Sequence, residues 1–149
     1  MKALLVYDST YGNTEEIAKA IGGAMGSDAR MLRAADANPA EIKAVDLLIV
    51  GSPTQGGRQT LAIRDFLNKI PKSSLKGIKV AAFDTRISRK FVGVFGYAAG
   101  RIVKDLEARG GNLIAPPEGF FVQGVKGPVS KGELERAAGW LKEISKSEK

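Results

Sequence analysis

Short apolar runs alternate with amphipathic stretches five times along the chain, with no linker or low-complexity segment between them. That alternation predicts an α/β domain with a parallel sheet. Ala3 to Tyr7 is continuously apolar and ends at Asp8-Ser9-Thr10, as expected of a central strand buried on both faces. Ile17, Ala20, Ile21 and Ala24 then fall at helical spacing, with Glu15 and Glu16 in a first turn whose dipole favours carboxylates, and Gly26 stops the helix. A second strand is expected at about Ala29 to Leu32, after which Pro39 opens a short helix leading into Val45. Asp46 to Gly51 reads as a third, buried strand. It is followed by a turn-rich loop, Gly51 to Gly57, and a helix marked by Ile63, Phe66, Leu67 and Ile70 that ends at Pro71. Ile78 to Phe83 is the fourth strand. Tyr97 to Arg109 is a helix with Ile102, Val103 and Leu106 inward and Gly110-Gly111 as its stop. Asn112 to Ala115 and Phe120 to Val122 form a fifth strand split by Pro116-Pro117, and Leu134, Ala137, Ala138, Leu141 and Ile144 mark the last helix, with a tail fraying from about 145. Trp140, beside that last stripe, is expected to be a half-buried core residue.

Parallel strands require right-handed crossovers, and an open sheet of this kind binds ligands outside the carboxyl ends of its strands, where the strand order reverses. The loops to inspect are therefore Asp8 to Thr14, Gly51 to Gly57, and Asp84 to about Phe95.

Composition narrows the chemistry. A chain of 149 residues with 44% hydrophobic and 26% charged positions buries about 70% of its extended surface, so one domain over 1–149 is expected. The absence of cysteine and histidine excludes disulfides, thiolate nucleophiles, the usual zinc sites and every Ser-His or Cys-His triad. No apolar run approaches the roughly 20 residues of a membrane span, and the opening residues are too short and too soon charged for a signal peptide, so the expected compartment is the cytoplasm. The net charge of +7 favours acidic partners.

In the first loop, Ser9-Thr10-Tyr11-Gly12-Asn13-Thr14 sets hydroxyls, an asparagine and free backbone amides at the positive end of a helix dipole, a combination that suits a phosphate without any basic side chain. Thr14 is expected to cap the helix while donating its hydroxyl to the anion. The same segment also reads as an ordinary N-cap turn. G-x-G-x-x-G and G-x-x-x-x-G-K-[ST] are both absent, which excludes the dinucleotide and P-loop motifs. A phosphorelay receiver would need an aspartate where Gly51-Ser52-Pro53 ends the third strand, and a low-molecular-weight tyrosine phosphatase would need a cysteine. Asp8, beside the loop, is expected to form a turn or accept N–H groups, because a carboxylate there repels an anion.

The first loop resembles the flavodoxin phosphate loop, S-x-T-G-x-T, matching at Ser9, Gly12, Asn13 and Thr14 and departing at Tyr11. Flavodiiron proteins and WrbA-type quinone reductases also carry a Tyr-Gly pair here. The similarity continues through Gly51-Ser52-Pro53-Thr54-Gln55-Gly56-Gly57 and all five α/β units, nearly the whole chain. It implies a three-layer, doubly wound flavodoxin-like fold, a five-stranded parallel sheet in order 2-1-3-4-5, and FMN as cofactor. The phosphate would lie on Ser9 to Thr14 and the ring between the second and third loops. Cofactor contacts are thus expected from Ser9, Thr10, Tyr11, Gly12, Asn13 and Thr14, from Ser52, Pro53, Thr54, Gln55, Gly56 and Gly57, and from Asp84, Thr85, Arg86 and Phe91. In flavodoxins the peptide at Gly56-Gly57 turns toward the flavin on reduction, although the pair also reads as a simple mobile turn.

Two departures alter what the resemblance implies. Gln55 stands where a tryptophan often stacks, which removes one aromatic wall worth about 0.5–1.5 kcal/mol. Of the third-loop aromatics, Phe91 has nearly the usual spacing, whereas Phe95 and Tyr97 also read as core positions of the helix. Five basic residues and no acid lie between Thr85 and Lys104, where familiar flavodoxins are acidic; a solvated face is the plain alternative. If Arg86 lies near the flavin N1 edge, it should favour the anionic reduced form. The expected function is electron transfer, with FMN cycling through semiquinone and hydroquinone, no catalytic side chain, no metal, and an acidic redox partner protein. An NAD(P)H- or quinone-linked FMN reductase is the alternative, and a flavin-less basic binding domain comes third. Neither a membrane nor a specific nucleic acid is expected as a partner.

Overall fold

The computed structural model describes residues 2–27, 29–55, 57–87 and 97–146. Strand β1 (Ala3–Tyr7) is buried on both faces but is second from the edge and not central as expected, paired with the edge strand β2 (Ala29–Arg33) on one side and with the middle strand β3 (Leu47–Pro53) on the other. β3 pairs with β4 (Lys79–Ile87), and β4 carries both β5 (Asn112–Leu113) and β6 (Glu118–Val122) along its far edge. Every pairing between these strands is parallel, and the order β2-β1-β3-β4-β5 is the expected one, with the fifth position shared by two short strands, the second of which also bridges Val129 antiparallel through Val122. The break falls at Pro116-Pro117, since proline offers no N–H to the ladder.

Alternation along the strands divides the core in two. Leu4, Val6, Leu48, Val50, Val80 and Ala82 face the layer formed by α2 (Leu61–Asn68) and α3 (Ala98–Ala108), where Ile63, Phe66, Leu67, Ile102 and Leu106 are buried. Ala3, Leu5, Leu47, Ile49, Ala81 and Phe83 face α1 (Asn13–Met25) and α4 (Glu133–Lys146) through Ile17, Ile21, Ala137, Leu141 and Ile144. Two apolar faces on one sheet demand helices on both sides, which yields three layers. Phe83, Phe120 and Trp140 form an edge-to-face triad with centroids 5.9–6.2 Å apart, so Trp140 is a buried core residue, more enclosed than expected. Gly51 makes room for it: a Cβ there would stand 2.1 Å from the Phe83 ring.

The elements differ from expectation mainly at their ends. β3 and β4 run on to Pro53 and Ile87, because Ser52 and Pro53 pair with Asp84 and Thr85, and Phe83 to Ile87 pair with Glu118 to Val122. Much of what reads as loop in the sequence is therefore strand. Pro39 opens a 3-10 turn, Pro39–Ala44, capped by Asn38, whose Oδ1 accepts from the Ala40 amide at 3.0 Å. Helix α1 starts at Asn13 with Gly12 as its cap residue, in the left-handed region at φ 94°. Thr14 does not cap it, since Thr14 lies inside the helix at its second residue. Instead, the Ser9 Oγ accepts from the amides of Gly12 at 3.0 Å and Glu15 at 3.3 Å.

Candidate functional site

An open groove runs along the carboxyl ends of β1, β3 and β4. The first loop supplies Ser9, Thr10, Tyr11, Asn13 and Thr14 to its walls; the second supplies Pro53, Thr54 and Gln55; the end of β4 supplies Thr85, Arg86 and Ile87; and the far edge adds Val122 and Val125.

The phosphate-like end is built from neutral donors. Helix geometry leaves the first amides of α1 without intrahelical acceptors, and those of Asn13 and Thr14 gain none from the described residues. Asn13 and Thr14 are 9% and 1% exposed. The Thr14 hydroxyl shares a hydrogen bond of 2.8 Å with that of Thr85, which ties α1 to β4 across the groove. A Cβ on Gly127 would stand 2.4 Å from the Asn13 Oδ1, so the segment after β6 leans on the first loop. From behind, Arg33 donates to the Ser9 carbonyl at 3.4 Å and pairs with Glu15 at 3.5 Å, and the Tyr7 hydroxyl donates to Glu15 at 3.1 Å. Burial, then the Glu15 hydrogen bond and charge, push the Tyr7 phenol above its ordinary pKa.

The second loop is held open by its polar side chains. The Ser52 Oγ accepts from the Thr60 amide at 3.1 Å, and the Thr60 hydroxyl donates to Asp8 Oδ2 at 2.5 Å. Asp8 therefore accepts a hydroxyl, where a turn-forming or N–H-accepting role was expected. The Thr54 amide donates to the Thr85 carbonyl at 2.9 Å, the Thr54 Oγ1 accepts from the Ala98 amide at 3.2 Å, and the Gln55 Nε2 reaches back to the Thr10 hydroxyl at 2.8 Å.

At the third side, Asp84 is wholly buried, and Arg86 donates to it twice at 2.7 Å. Its Oδ2 also accepts from the Ala99 amide at 3.0 Å, at the start of α3. Burial raises the Asp84 pKa above its ordinary value, while the Arg86 hydrogen bonds and charge oppose the rise. The guanidinium lies 3.3 Å from the Tyr97 ring centroid, and a Cβ on Gly119 would sit 2.2 Å from its Cζ. Arg86 thus lines the groove as expected, but as half of a neutralised pair clamped between Tyr97 and Gly119.

Ten of the sixteen expected cofactor residues line this one groove: Ser9, Thr10, Tyr11, Asn13, Thr14, Pro53, Thr54, Gln55, Thr85 and Arg86. Gly12, Ser52, Gly57 and Asp84 stand behind it and shape the backbone, while Gly56 and Phe91 lie outside the described residues, as do Arg89, Lys90 and Phe95. Ile87, Val122 and Val125 were missed. Val125 is 69% exposed, and nothing local in the sequence marks it for the groove. Free amides, hydroxyls and an apolar rim, with no carboxylate among the described residues that line the groove, fit a phosphate joined to a planar ring.

A family profile for flavodoxin matches residues 5–140. The chain belongs to the flavodoxin family. Flavodoxin 1 of Escherichia coli (strain K12) is 27% identical over 160 aligned positions, covering 95% of this chain and 91% of that one. Flavodoxin of Klebsiella pneumoniae is 29% identical over 127 positions, covering 83% and 72%. In three dimensions the fold matches oxidised Flavodoxin 2 from Bacillus cereus with a TM-score of 0.83 at 23% identity, covering 98% of this chain and 99% of that one. It also matches part of the rubredoxin:oxygen oxidoreductase of Desulfovibrio gigas, with a TM-score of 0.76 at 19% identity, covering 98% and 35%. Flavodoxins bind FMN and carry electrons to and from redox partners, and this flavodoxin is an FMN-binding electron-transfer protein. Among its described residues, no helix is long and apolar enough to cross a membrane.

Proposed function

We propose that this flavodoxin holds the FMN phosphate in the Ser9 to Thr14 loop and the ring against Pro53 to Gln55 and Thr85 to Ile87. The observation that carries this reading is the pair of uncommitted amides at Asn13 and Thr14, beside the hydroxyls of Ser9 and Thr14. Ser9 already accepts two amide hydrogens, so its own hydrogen is left to donate outward. Thr14 and Thr85 share one hydrogen, and the other is free for an anion. Backbone donors and a helix dipole stabilise a dianion without a counter-charge that would have to be desolvated. FMN supplies one- and two-electron redox chemistry when bound, and no side chain of the chain has to act as acid or base.

Residues 1–149 form one domain in this reading, Gly56 and Phe91 complete the cofactor contacts, and the protein works in the cytoplasm. Its redox partner is acidic, a reading supported by the net charge of +7. Titrating apoprotein with FMN and with riboflavin tests the phosphate assignment. Thr14→Val should weaken FMN by about 10- to 100-fold, the equivalent of one charged hydrogen bond, and leave riboflavin nearly unchanged. Equal losses for both ligands would refute it.

A further inference from the structure

Beside the FMN groove lies a second, more polar depression between the end of the second loop and the first half of α3, walled by Arg58, Gln59, Tyr97, Arg101, Lys104 and Asp105. The two depressions share a rim. Gln55, on the first, and Arg58, on the second, exchange backbone hydrogen bonds of 2.9 and 3.2 Å, and Tyr97 stacks on Arg86 of the first. Arg58, Arg101 and Lys104 are exposed, and none has an ion pair among the described residues. Arg101 Nε donates to the Gly57 carbonyl at 3.2 Å, which anchors the side chain and leaves its terminal nitrogens uncommitted. Asp105, the one acid, faces Arg109 at 3.8 Å on its own helix.

We propose that this depression is the docking site for a carboxylate-bearing loop of an acidic electron-transfer protein, and that it brings the partner's redox centre to the edge of the FMN groove. The inference rests on FMN occupying that groove. Three cations without an ion pair among the described residues surround one depression and attract acidic groups, and the shared rim makes the docked partner a neighbour of the cofactor. A small inorganic anion meets these cations one at a time, whereas a protein loop carrying several carboxylates faces Arg58, Arg101 and Lys104 together. One electron passes per encounter, the partner's metal centre losing what the flavoprotein gains.

The test is stopped-flow reduction of the oxidised holoprotein by a reduced, acidic plant-type [2Fe–2S] ferredoxin. Arg58→Glu/Lys104→Glu should slow the reaction about tenfold or more at about 20 mM ionic strength, and the difference should close to about twofold near 1 M salt, where the Debye length is about 3 Å. Lys19→Glu/Lys142→Glu, on exposed positions of α1 and α4, makes the same change in net charge and should cost no more than about threefold. The milder Arg58→Gln/Lys104→Gln should shift the rate in the same direction if the reversal fails to fold. Equal slowing by both reversals, or none by either, overturns the docking site. So does saturable NADP+ binding at Arg58 and Arg101 amides with rates indifferent to the reversals, which would mark a nucleotide phosphate subsite. If apoprotein takes up no FMN, the cofactor reading and the docking site fall together; if it takes up FMN and rates ignore the reversals, only the docking site falls.

Discussion

Two arginine–carboxylate pairs brace the groove, alike in chemistry and opposite in behaviour. Asp84–Arg86 secures the end of β4 to the start of α3, and Glu133–Arg136 secures β6 to the start of α4. Each carboxylate also accepts one backbone amide, from Ala99 and Phe121 respectively. Each guanidinium lies over an aromatic ring, Tyr97 at 3.3 Å and Phe120 at 4.5 Å. Both press on Gly119, one against its α-carbon and the other on its carbonyl. Yet burial pushes the Asp84 carboxyl up, whereas the Arg136 hydrogen bond, outweighing burial, holds the Glu133 carboxyl below its usual value. The side chains of Asp84 and Arg86 are 0% and 16% exposed, against 10% and 38% for Glu133 and Arg136. Identical partners therefore do not decide the sign; access to water does.

The largest expected effect is at the buried pair. Asp84→Ala strands a guanidinium and the Ala99 amide in the interior and should cost about 3–5 kcal/mol in urea unfolding. Leucine-like replacement of both partners should cost far less than the single change, which a double-mutant cycle would show. Next comes the glycine between the pairs: Gly119→Ala drives a methyl into Arg86 and should cost about 1–3 kcal/mol. A cost shared with Arg86→Met, without additivity, would place the clash at that guanidinium.

The smallest effect is at the half-exposed pair, and it depends on pH. A carboxyl with a lowered folded pKa contributes stability that is present above its unfolded value and lost as pH falls through the folded one. Glu133→Gln should therefore cost about 1 kcal/mol at pH 7 and progressively less below about pH 4.5, visible as a shallower acid limb in stability against pH. Asp84 runs the other way. Its raised pKa makes its share greatest at low pH and diminishing as pH rises through the folded value. An acid limb as steep in Glu133→Gln as in the parent would remove the contrast between the two.

What the sequence made legible follows from how local each signal is. Ala3 to Tyr7 and the Glu15-Glu16 turn announce a strand and a helix start from a few neighbouring residues, and both stand where expected. The hydroxyls of the first loop likewise meet at one groove. In the sequence Arg86 reads as one of five basic residues with no acid among them, because its partner is set by burial, which the sequence does not state. Aspartate two residues earlier on a strand faces the same side, so the pairing was in reach of period-two reasoning. The extension of β4 to Ile87 and the arrival of Val122 and Val125 at the groove depend on β6, more than thirty residues away, and on where Pro116-Pro117 lets pairing resume. Thr14 reads as a helix cap in isolation. Its hydroxyl goes to Thr85, a residue 71 positions distant, and the capping falls to Ser9.

The proline interruption at the far edge reaches beyond the groove. An unbroken outer strand offers a row of free amides and carbonyls on which another polypeptide can zip, and proteins that must meet many partners briefly are exposed to that hazard. Here the outer row is cut into lengths of two and five residues, and Phe121, at 36% exposure, sits on the longer of them. The longer length is also already occupied, because the Phe121 amide goes to Glu133, its carbonyl accepts from the Ser130 amide and the Gln123 amide donates to the Pro128 carbonyl, so a stranger arriving at this border finds little left to extend.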